Sequence, residues 1–142
     1  MKQTITSVTS ALLILVMVLM TAACAPTVDK TGLWENATYL QDKEFGNGAK
    51  TLTVKVEIEN QAVTFTVHTD KETVGEALLE QNLITENEGA YGLYIKEVNG
   101  ITADFDIDQS YWAFYIGDEY AMTGVSSTKI EEGTVYRLVY TK

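Results

Sequence analysis

One cysteine in 142 residues leaves no disulfide to be made within the chain, so its stability has to come from a packed core. One histidine, His68, stands near the end of a predicted strand, with no serine or cysteine nucleophile at a recognisable motif spacing. That shortage removes the usual acid–base and nucleophilic arrangements, and the chain is read as non-enzymatic, with His68 a solvated strand-end residue. Basic residues are scarce as well: 10 against 20 acidic ones, a formal net charge of −10. Nucleic acid is excluded as a partner, because phosphate binding needs a basic patch that this composition cannot assemble. The acidity instead keeps a domain soluble and repelled from an anionic membrane surface.

What the chain does have is an aromatic stretch, Tyr111 to Val125, reading YWAFYIGDEYAMTGV. In an extended strand Tyr111, Ala113 and Tyr115 fall on one face and Trp112, Phe114 and Ile116 on the other. Gly117-Asp118, with glycine in the first position, predicts a two-residue hairpin turn and a return strand over Glu119, Tyr120, Ala121 and Met122. Two readings of this stretch stand together. Trp112 and Phe114 suit a strand buried on both faces, whereas a tyrosine and a methionine beside a tight turn make an adaptable apolar surface for a flat ligand.

The first 23 residues read as an address. Lys2 supplies positive charge, and Ala11 to Met20 is an apolar run too short for a comfortable membrane span. Thr21-Ala22-Ala23-Cys24 resembles the lipobox of bacterial lipoproteins, which implies cleavage before Cys24 and acylation of that residue. Two or more acyl chains suffice for stable anchoring, so the resemblance implies a cell-membrane lipoprotein on the extracytoplasmic face. Residues 24–50 contain the sole proline, Pro26, and no hydrophobic periodicity, and are read as a flexible tether. Trp34 and Tyr39 are its exceptions, either packed back on the domain as a clasp or held at the headgroup level.

The domain proper is expected over residues 51–142. Leu52, Val54, Val56 and Ile58, then Val63, Phe65 and Val67, alternate with polar residues and predict a hairpin with one face inward. Thr73-Val74-Gly75-Glu76 fits a capping box, and the stripe Val74, Ala77, Leu78 and Gln81, broadened by Leu83 and Ile84, predicts a helix lying across the sheet. A strand over 91–98, a type I′ turn at Asn99-Gly100, a short strand from Ile101 and a last strand over 134–141 complete the pattern. The order predicts an α+β fold, a small β-grasp-like mixed sheet with one helix on one face. Asp104, Asp106 and Asp108 alternate in ADFDIDQS. They are read either as a solvated acidic loop with Phe105 and Ile107 turned inward or as the start of a calcium loop that lacks its glycine and distal glutamate.

With these elements in order, the run from Thr51 to Lys142 resembles the bacterial domain family of unknown function labelled DUF4430. It is also similar to the C-terminal β-domain of transcobalamin and intrinsic factor. The residues that carry the resemblance are Thr73-Val74-Gly75-Glu76-Ala77-Leu78, Gly92-Leu93-Tyr94-Ile95, Val98-Asn99-Gly100, Tyr111-Trp112 with Phe114, Gly124-Val125 and Gly133. In the vitamin carriers this domain is a cap over one face of a corrin ring. The resemblance therefore implies a ligand surface made of Tyr94, Trp112, Tyr120, Ala121, Met122 and Thr123, with no required cofactor and a corrinoid as ligand. The carriers' helical barrel, which forms the other half of their site, has no counterpart in this sequence, and their loop is one residue longer. A second function is carried alongside: an interaction or adhesion module that binds a surface protein and no small molecule.

Overall fold

The structure, a computed structural model, describes residues 26–90 and 92–142. The expected signal over residues 1–23, Cys24 and Tyr91 lie outside the described residues. The elements run β1 (Lys43–Gly46), β2 (Lys50–Ile58), β3 (Gln61–Thr69), α1 (Val74–Glu80), β4 (Ile84–Gly89), β5 (Gly92–Val98), β6 (Ile101–Thr102), α2 (Phe105–Asp108), β7 (Tyr111–Ile116), β8 (Glu119–Tyr120) and β9 (Val135–Thr141). Short 3-10 turns occupy Gly32–Asn36 and Val125–Ser127.

The first hairpin forms as its alternation dictates: Leu52, Val54, Val56 and Ile58 of β2 and Val63, Phe65 and Val67 of β3 are at most 2% exposed. Their polar neighbours face the other way. The main sheet has six strands in the order β1-β3-β2-β9-β7-β8. β2 runs parallel to β9 and antiparallel to β3, and β9 runs antiparallel to β7. This central set, an initial hairpin whose first strand lies parallel to the last strand, is the β-grasp arrangement, and the fold is mixed α+β.

The crossover out of the hairpin is α1. Thr73 closes the expected capping box, its Oγ1 accepting from Glu76 N–H at 3.3 Å while Glu76 Oε2 accepts from Thr73 N–H at 3.1 Å. Val74, Ala77 and Leu78 are buried against the sheet. The helix ends two residues short of the expected Asn82, because Asn82 takes a positive φ of 55° and turns the chain. Leu83 and Ile84, read from sequence as the end of the helical stripe, are therefore buried outside it, and Ile84 begins β4. With β5 and β6 it makes a second, three-stranded sheet that the sequence pattern did not separate from the first.

Two further expectations are corrected. Residues 26–50 are not a free tether. β1 pairs in parallel with β3, Trp34 is 2% exposed and Val28 6% exposed in the core, and Lys50 is already the first residue of β2. The strap is fastened by Asn99, whose side chain accepts from Tyr39 N–H and donates to Tyr39 O, both at 2.9 Å. Tyr39 in turn packs edge-on against Phe45 and Phe65 at 5.3 and 5.9 Å between ring centres. Trp34 and Tyr39 thus form the clasp, and the buried Trp34 ring is not at a headgroup level. The second correction concerns Phe105 and Ile107, which are 64% and 82% exposed rather than turned inward. The acidic stretch is not a loop but the one-turn helix α2, and it holds both side chains out.

Candidate functional site

The aromatic stretch folds as a floor and a rim. β7 presents Trp112 and Phe114 to the interior, where they are 6% and 7% exposed, while Tyr111 on the opposite face is 39% exposed. Trp112 is held by its indole, which donates to Ile101 O at 3.1 Å, and by the edge of Tyr140 at 5.4 Å. Phe114 stacks on Tyr136 at 6.0 Å, and Tyr136 is pinned by its hydroxyl, which accepts from Glu131 N–H and donates to Lys129 O. The predicted turn is present: Gly117 takes φ of 60° between Ile116 and Glu119. The return strand stops at Tyr120, two residues earlier than expected. Ala121 N–H still donates to Phe114 O at 3.0 Å, after which Met122, Thr123 and Gly124 leave the sheet.

That departing loop crosses over to α1. Gly75 is what lets it approach, because a Cβ there would come within 2.9 Å of the Ser126 backbone nitrogen. Thr128 Oγ1 donates to Gly124 O at 2.9 Å, and Val74 N–H donates to Thr128 O at 2.9 Å, fixing the loop to the helix start. Between this loop, β7 and the β4–β5 hairpin lies a groove of about 540 Å³.

All six residues picked from sequence as a ligand surface line this groove: Tyr94, Trp112, Tyr120, Ala121, Met122 and Thr123. Trp112 belongs to the floor. Tyr120, 56% exposed, and Met122, 95% exposed, belong to the rim, with the Tyr120 ring edge-on to Tyr115. Sequence reasoning missed Leu93, Ile95 and Glu86, which line it as well. The reason is a bulge. Thr85 pairs with Glu97 but Glu86 with Ile95, so Lys96 is the extra residue, and the face of β5 that follows Val98 inward changes from 96 and 94 to 95 and 93. Leu93 and Ile95 are thereby placed on the inner face with Glu86. Tyr94 is left at the outer rim, 47% exposed, its ring beside Gly89.

The three aspartates do not converge. Asp104 caps α2 and pairs with Lys96, which holds its carboxyl below the ordinary range and raises the lysine. Asp108 is lowered by hydrogen bonds from Ser110 and by Lys142. Among the described residues no group of three or more His, Cys, Asp or Glu side chains is arranged to hold a metal ion. His68 is half-buried, its Nδ1 3.4 Å from Thr51 Oγ1, on the polar face of β3 and away from the groove.

A model of a domain of unknown function, DUF4430, matches residues 71–142. Among solved structures, a protein from Ruminococcus gnavus described as a candidate metal-binding protein is 32% identical. That match covers 66% of this chain and 98% of the other, with a TM-score of 0.60. Haptocorrin in complex with Cbi is 22% identical over 68% of this chain, with a TM-score of 0.46, and the match spans 26% of haptocorrin. No curated protein matches the chain. The chain belongs to the DUF4430 family.

Proposed function

We propose that this protein is a lipid-anchored, extracytoplasmic binding domain, without catalytic activity, whose groove takes a flat and largely apolar small molecule, a corrinoid being the candidate. The observation that carries the reading is the convergence on one groove of Tyr94, from the β4–β5 hairpin, with Trp112 of β7 and the run Tyr120, Ala121, Met122 and Thr123. Its floor of packed rings and its rim of exposed tyrosine and methionine offer apolar area to a planar ligand, with hydroxyls and loop backbone to orient it. The corrinoid enters through the motif resemblance to the vitamin carriers' cap, and the anchor through the lipobox-like Thr21 to Cys24. A second reading has its own support: Leu93, Tyr120 and Met122 are 61%, 56% and 95% exposed around the opening, an apolar rim that a partner protein on the cell surface would cover.

The test of the small-ligand reading is a titration of the full-length chain, held in zwitterionic nanodiscs, with cobalamin and with cobinamide by calorimetry. Binding that weakens at least tenfold, or about 1.4 kcal/mol, in the double variant Tyr120→Ala, Met122→Ala is the expected result. No binding at millimolar ligand removes the corrinoid. Cys24→Ser tests the anchor: release into the soluble fraction is expected, and retention on salt-washed membranes rejects lipidation.

A further inference from the structure

We propose that the groove is selective for an organic cation, a flat apolar body whose positive charge sits against Glu86. The proposal rests on the small-ligand reading and adds to it the sign of the charge. Glu86 is the one charged side chain lining the groove among the described residues, and no lysine or arginine lines it. Lys96, its neighbour across the bulge, turns instead to Asp104.

Glu86 is also built in rather than loose. The register shift sets it opposite Ile95 on the inner face of the hairpin, and Ser126 Oγ, carried by the groove loop, donates to its Oε1 at 2.6 Å. Among the described residues its Oε2 accepts no hydrogen bond. The same groove is lined by the aromatic residues Trp112, Phe114 and Tyr120, with Tyr94 at its outer rim. Aromatic faces carry negative potential and attract a cation, most strongly where water is thinned out. Carboxylate and rings thus act in the same direction, and a net charge of −10 adds a field that draws cations and repels anions. An anionic ligand would meet the carboxylate without any lining cation to offset it.

Two flat tricyclic dyes of similar size and opposite charge, thionine as the cation and resorufin as the anion, separate these cases. The full-length chain in zwitterionic nanodiscs is dialysed to equilibrium against each at neutral pH, with empty nanodiscs subtracted. Thionine is expected to bind at least tenfold more tightly, and Glu86→Gln, which can still accept from Ser126, to shrink that preference at least threefold. Glu86→Asp keeps the charge and should keep most of the preference. Glu44→Gln, on β1 at the far edge of the sheet, changes the net charge equally and should leave the preference alone. Equal affinities, tighter resorufin, no binding of either dye, or a preference that survives Glu86→Gln each overturn the proposal. Cobinamide as competitor keeps the two readings apart. If it neither binds nor displaces thionine while the preference persists, the corrinoid is wrong and the cation site stands; if it binds and the dyes show no preference, the reverse holds.

Discussion

Asn99→Asp is the substitution that most sharply tests whether the strap over residues 26–42 is part of the fold. Asn99 is 1% exposed at φ of 52°, a left-handed conformation that aspartate tolerates nearly as well as asparagine. Its backbone bonds, from Asn99 N–H to Leu83 O and from Thr38 N–H to Asn99 O, both at 2.8 Å, do not depend on the side chain. The change therefore acts on one contact. The amide nitrogen that donates to Tyr39 O at 2.9 Å becomes an oxygen, while the acceptor for Tyr39 N–H is kept. An unpaired buried carbonyl costs about 1–3 kcal/mol, and a buried carboxylate facing it adds to that, so a loss of roughly 3 kcal/mol or more is expected near neutral pH. Against a total stability of about 5–15 kcal/mol, that loosens the strap before it unfolds the domain.

The pH dependence gives the signature. Burial and the facing carbonyl raise the new carboxyl's pKa in the folded state, and a protonated carboxyl can donate to Tyr39 O. The penalty is thus smallest in acid and grows as pH rises above the unfolded aspartate value of about 3.9. Chemical denaturation across pH, with amide exchange read at Tyr39 and Thr38, measures both effects. A loss below about 0.5 kcal/mol at neutral pH, with Tyr39 still protected, would refute the clasp.

Within the aromatic stretch, Trp112→Ala should cost about 3–5 kcal/mol through lost packing, whereas Met122→Ala, at a side chain 95% exposed, should stay within about 0.5 kcal/mol. Equal effects in denaturant melts would mean that floor and rim are misassigned. On the polar face of the sheet, burial pushes the Glu57 carboxyl up, but hydrogen bonds and charge from Lys55 and Arg137 together outweigh it and hold its pKa below the ordinary 4.5. A folded pKa below the unfolded one stabilises above that ordinary value and fades as pH falls through the folded one. Glu57→Gln should accordingly lose up to about 1 kcal/mol above pH 5 and converge on the parent in stronger acid, and a constant difference across pH would contradict the pairing.

The sequence by itself determined the elements whose signals are local. The alternation from Leu52 to Val67, the Thr73–Glu76 capping box, the positive-φ turns at Asn99-Gly100 and Gly117, and the aromatic density of Tyr111 to Ile116 each depend on residues within a few positions of one another. Binary pattern and turn chemistry report such neighbours directly. Tyr94, Trp112 and the run Tyr120 to Thr123, named from a family resemblance, line the groove, whereas Leu93, Ile95 and Glu86 were not named.

The tertiary structure alone decided what depends on long-range pairing. Residues 43–46 carry no strand pattern of their own, and become a strand because the β3 edge offers parallel partners. Trp34 lacks a periodic context, and is core because Asn99, 60 positions beyond Tyr39, holds the strap down. The bulge at Lys96 inverts which side chains of β5 face the groove, and nothing in the run Gly92 to Val98 announces it, since it is defined by the pairing with β4. Glu86 became a candidate for ligand recognition by the same shift, for a carboxylate's role is set by what stands around it, and Ser126, which donates to it, is 40 positions away in sequence.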